Sequence, residues 1–170
     1  TAATTKANVW NSTSPTSSVV SIGTDGGVNS SVKDFIAYCF APIAGYSAFG
    51  SYTGNGNSNG PCVIVDDGAF GFMPAWIMFK NISQDGYGWS IFDVKRSATG
   101  NPISTALNMA NNTTDSTVAS YKHDITPNGF KIRGNAGETN YNGDTIIYLA
   151  FAEQPFQGVT GVDIAQARVV

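Results

Sequence analysis

The chain has 170 residues, room for one domain with a sizeable core but not for two comfortable ones. Only 12% of it is charged, against about 25% in an average soluble domain, and the net charge is −3. Nine scattered Lys and Arg leave no basic footprint for nucleic acid, and no apolar run is long enough to span a membrane.

The rest of the composition favours strands. There are two Leu and two Glu but 26 Ile and Val, and β-branched residues fit pleated surfaces better than helices. Nineteen Gly, 15 Asn and ten Asp supply the chemistry of tight turns. Thr1–Asn8 lacks the charged-then-apolar plan of a secretory signal and an initiator Met, so the sequence reads as a processed chain or a piece of a longer one.

In chain order, strands are predicted at Val19–Gly23, Phe35–Ala41, Tyr46–Tyr52, Cys62–Val65, Ala75–Lys80, Trp89–Val94, Gly129–Arg133 and Thr145–Ala152. Ile103–Ala110 fits a strand or a short helix. Pro74–Phe79 is apolar at both parities, which suits a strand covered on both faces. Gly54–Gly60 reads as a surface loop. These elements make an all-β protein, an antiparallel two-sheet sandwich of jelly-roll type with an extended N-terminal hairpin and a C-terminal arm. Cys39 and Cys62 lie in apolar runs and read as buried thiols on neighbouring strands, with pairing left open.

An internal echo divides the chain. Val20-Ser21-Ile22-Gly23, then Val28-Asn29, then Phe35–Ala41 is matched by Phe130-Lys131-Ile132-Arg133, then Thr139-Asn140, then Ile146–Ala152, at an offset of 110 to 111 residues. Such self-similarity marks a repeat. Residues 1–45 are then the closing hairpin of a preceding copy, 46–157 a complete sandwich and 158–170 an extended arm.

The stretches Trp10–Val19, Ile36–Ala41, Phe49–Gly56, Pro74–Lys80, Asn128–Arg133 and Tyr148–Glu153 resemble, in the same order, tandem-repeat virion surface proteins of marine bacteriophages. The resemblance runs to about Phe156 and departs at Cys62–Gly71, where Asp66-Asp67-Gly68 is inserted. It implies a concanavalin-like sandwich repeat in a head or tail fibre or a decoration protein. It also implies a location on the virion surface or outside the cell. No catalytic residue comes with it.

The motifs that carry chemistry are weak. Gly56-Asn57-Ser58-Asn59-Gly60 matches a nucleophile elbow followed by Asp93 and His123, but lies in a Gly/Asn loop without the strand-to-helix turn the mechanism needs. His123 is the lone histidine and reads as a surface or turn residue. Glu138 and Glu153 make no evident acid/base pair. No catalytic residue, metal or cofactor is assigned. The calcium candidates are Asp25, Asp66 and Asp67 on Asp-Gly loops, although Asp-Gly is also an ordinary turn pair. Tyr87, Trp89 and Tyr141 are carbohydrate-contact candidates, with core packing the competing reading for Trp89 and the expected one for Trp76.

The function expected is assembly: a virion structural protein forming a homo-oligomer, in contact with other virion proteins and a host-surface glycan, with neither nucleic acid nor membrane as partner. The alternatives are a lectin-like adhesin module and a bacterial surface filament subunit.

Overall fold

The computed structural model describes residues 7–65, 71–97, 100–108, 116–117 and 119–155. The chain falls into two compact units, one within Ala3–Phe40 and the other within Ala41–Val170.

The larger unit is an all-β sandwich of two antiparallel sheets, as composition predicts. Its strands are β1 (Ser47–Thr53), β2 (Cys62–Ile64), β3 (Pro74–Asn81), β4 (Trp89–Asp93), β5 (Thr105–Asn108), β6 (Ser116–Thr117), β7 (His123–Thr126), β8 (Gly129–Ile132) and β9 (Thr145–Ala152). One sheet runs β1-β9-β3-β4-β5-β6 and the other β2-β8-β7. Six of the predicted strands form within a residue or two, and Ile103–Ala110 resolves as β5. β6 and β7 went unpredicted because one is two residues long and the other, His-Asp-Ile-Thr, is polar.

The core follows from period-two alternation. Along β9, Ile146, Tyr148, Ala150 and Ala152 point inward, and β3 adds Ile77 and Phe79. The small sheet answers with Val63, Phe130 and Ile132. Phe79 is the hub, its ring edge-on to Tyr52, Phe92, Phe130 and His123 at 5.2–6.2 Å. Burying one such ring stabilises the fold by about 1.5–3 kcal/mol.

The outward faces differ. In the small sheet Cys62, Lys131 and Asp124 stand in register outside, the usual polar exterior of a solvated antiparallel sheet. In the large sheet the outward row Phe49, Leu149, Met78, Ile91, Leu107 crosses five strands without a polar residue. Beside it Phe151 packs edge-on against Tyr46, Phe49 and Trp76. Trp76, expected in the core, therefore belongs to the outer face.

Three further expectations are corrected. Val19–Gly23 and Phe35–Ala41 form no strands, so the N-terminal hairpin is not a paired ribbon. Residues 7–40 instead hold one helical turn, α1 (Ala7–Trp10), and irregular backbone, because a strand needs a neighbour for its ladder. Cys39 and Cys62 are both free and exposed, the first off any strand and the second facing outward on an edge strand. His123 is 1% exposed and belongs to the core. Trp89 is 36% exposed and faces outward opposite Lys80. The expected arm, 158–170, lies outside the described residues.

Candidate functional site

At one end of the sandwich, three loops meet around a buried polar network. Asn81, which ends β3, is fully buried, and its amide donates to Asp144 Oδ2 (2.7 Å) and the Gly137 carbonyl (2.9 Å). Gln84 Nε2 donates to both Asp144 oxygens, at 3.1 and 2.8 Å. Both oxygens of this buried carboxylate therefore have amide donors, as a buried polar group requires. This ties the 82–88 loop to the segment before β9.

A second hub is Asn140, the last residue of α2 (Gly137–Asn140). Its fully buried side chain donates to the carbonyls of Gly134 and Asn57, both at 2.8 Å, and accepts from Asn55 N at 2.8 Å. The Gly54–Gly60 loop is thus pinned to α2 rather than left to wander. Tyr52 adds a bond from its hydroxyl to the Thr139 carbonyl at 2.6 Å, and burial raises that phenol well above its ordinary pKa.

On this scaffold sit two of the sugar-contact candidates. The Tyr87 and Tyr141 rings lie 6.2 Å apart, tilted by 44°. Tyr87 rests where a side chain at Gly137 would be: a Cβ there would come within 2.3 Å of the ring. Lys80 Nζ donates to the Tyr87 carbonyl at 2.6 Å and fixes the loop from behind. Desolvation, then the nearby Tyr141, Glu138 and Asp144, raise the Tyr87 hydroxyl above its usual pKa. Tyr141 is 45% exposed. Two partly exposed phenols beside amide and carboxylate groups can stack on and hydrogen-bond to a pyranose. Trp89 takes its place on the outer face of the large sheet instead.

Asp25 lies in the smaller unit, where its two oxygens accept from Gly27 N (2.8 Å) and Asn8 Nδ2 (3.0 Å) and so shape a turn. Asp66 and Asp67 lie outside the described residues. Among the described residues, no group of three His, Cys, Asp or Glu converges on a metal position. The elbow-like residues have separate occupations: Ser58 sits in the loop, Asp93 Oδ1 accepts from Lys95 N at 2.8 Å, and His123 is in the core. Glu153 pairs with Lys95 at 3.1 Å.

A family profile matches residues 1–155, covering the smaller unit and the sandwich together. The chain belongs to DUF7483, a domain family of unknown function. No curated protein and no solved structure matches it. The DUF7483 domain's functional features therefore rest on its own geometry. Sequence reasoning missed the Asn81–Gln84–Asp144 and Asn140 networks, since single Asn residues in turns carry no spacing signal. It also missed the outer apolar row, which was visible only as apolarity at both parities of β3.

Proposed function

We propose that this chain is a structural, non-catalytic building block of an extracellular surface assembly, of the fibre or decoration type found on virions, and that it self-associates. The observation that carries the reading is the outward row Phe49, Leu149, Met78, Ile91, Leu107. A sheet that met only water would alternate apolar and polar residues, as the small sheet does. A contiguous apolar exterior marks an association surface. The neighbouring outward rows carry Ile147 and Trp89 on one side and Phe151 and Trp76 on the other, with Ser51 and Asp93 at their ends, so the apolar exterior widens around the central row. A second copy is the favoured occupant, because most soluble oligomers are homo-oligomers and a net charge of −3 opposes their approach only weakly.

Light scattering behind size exclusion tests this on residues 1–170. The expected result is a mass above one chain, a closed trimer for a fibre or an open polymer for a filament. Ile91→Lys, which places a charge in the centre of the row, should return it to a monomer. A monomeric wild-type chain overturns the proposal. If that monomer binds polysaccharide and Tyr141→Ala abolishes the binding, a lectin-like module replaces it.

A further inference from the structure

The smaller unit repeats the turn that precedes β9 in the sandwich, with several of its hydrogen bonds. The helical turn Ala7–Trp10 answers to the 3-10 turn Ala119–Tyr121. Thr16 N donates to Val19 O at 2.9 Å, closing a turn where Thr126 and Gly129 face each other at the tip of the β7–β8 hairpin. From Gly23 the offset is 111 residues and the hydrogen bonds coincide. Asn29 Nδ2 donates to Gly23 O at 2.9 Å, and Asn140 Nδ2 to Gly134 O at 2.8 Å. Asn29 N and Val28 N both donate to Asp25 O, as Asn140 N and Thr139 N do to Ala136 O. Asp25 N bonds Asn8 O, and Ala136 N bonds Ser120 O. Even the close approaches match: a Cβ on Gly23 would collide with the Asn8 carbonyl, and one on Gly134 with that of Ser120.

What the smaller unit lacks is everything that needs a neighbour. Val20 and Ile22 correspond to Phe130 and Ile132, which are 0% and 1% exposed; here they are 50% and 52% exposed. Ile36 and Tyr38, in the segment answering to β9, are 81% and 80% exposed. Val9 is the one large apolar side chain buried among residues 7–40. A groove of about 920 Å³ opens between Trp10, Val20, Ile22, Phe35 and Tyr38. So short a segment cannot build a core of its own.

In the sandwich of the larger unit the corresponding places are already taken. β8 already pairs with β2 and β7, and β9 with β1 and β3. We infer that residues 7–41 are the closing segment of a second sandwich, whose body is another copy of this same domain. Residues 20–22 would take the central place in its three-stranded sheet. Residues 35–41 would take the interior place held here by β9, and Asn29 would pin the copy's equivalent of the Gly54–Gly60 loop. The inference rests on the assembly reading only in taking the partner to be this domain; it links sandwiches along the chain, in addition to any association through their outer faces.

The register makes a sharp test. At the offset of 111, Cys39 falls on Ala150, which is fully buried, whereas in this chain Cys39 is exposed. A tandem chain is built from residues 1–117 joined to residues 7–170, with Cys62→Ser throughout and Cys39→Ser in the first segment, so that a single internal thiol remains. Its reaction with a disulfide reagent is compared with that of Cys39 in the 1–170 chain carrying Cys62→Ser. A third chain, with Ala150→Cys in a Cys39→Ser, Cys62→Ser background, reports the protection that this position confers. Reaction of the internal thiol should slow at least about a hundredfold, to the Ala150→Cys rate, since a core site reacts only through opening. Reaction as fast as in the single chain overturns the inference. The readout is intramolecular, so a monomeric 1–170 chain in light scattering would end the self-association proposal and leave this one standing.

Discussion

Residues 20–41 and residues 130–152 are two versions of one sequence with different outcomes. Both make the glycine-to-asparagine turn with the same bonds, yet only the second makes strands. Turns close on groups a few residues away and so travel with the local sequence. A ladder and a buried face need partners from elsewhere in the fold, and apolar residues without them stay exposed whatever their strand propensity. Strand formation here is a property of the neighbours.

The comparison is tested hardest at matched positions. Phe130→Ala should destabilise the sandwich by about 3–5 kcal/mol, because it empties the centre of the core. Its counterpart Val20→Ala should change stability by no more than about 0.5 kcal/mol in the 1–170 chain. Urea unfolding followed by tryptophan fluorescence reads both, and a cost above about 1 kcal/mol for Val20→Ala would break the contrast.

Acid should separate the two regions next. His123 is fully buried, its Nδ1 sits 3.0 Å from the Tyr121 carbonyl, its ring packs edge-on against Phe79 and Phe92, and its Nε2 has no hydrogen-bond partner among the described residues. Desolvation lowers its pKa from 6.5 to about 4, against smaller raising effects from Tyr121 and Asp124. The unfolded chain takes up the proton near pH 6.5 and the folded chain only near 4. Stability from this group is therefore present above 6.5 and lost as pH falls to about 4, by about 3 kcal/mol. Unfolding midpoints measured across that window should fall with acid, and His123→Phe should flatten the slope. Residues 7–40 hold no histidine and should not respond.

The smallest effect sits at the matched amides. Asn140→Ala strands the Asn57 and Gly134 carbonyls and should cost about 2 kcal/mol. Asn29→Ala removes one bond from an exposed side chain and should cost less than about 1 kcal/mol. In the tandem chain described above, the internal Asn29→Ala should rise toward the Asn140 value.

The sequence alone determined the class of the fold and most of its strands, through β-branched residues, scarce Leu and Glu, and Gly/Asn/Asp turns. It also determined the echo, and through it the turns that residues 7–40 keep. Tertiary structure decided which apolar runs became strands, which is why Val19–Gly23 and Phe35–Ala41 did not. It brought Tyr87 to Tyr141 across 54 residues and turned Trp76 and Trp89 outward. It also placed His123 at the centre of an aromatic core. The reason is the same throughout. Local sequence selects turns, whose bonds reach a few residues, while exposure, pairing and proximity depend on which distant residues arrive opposite.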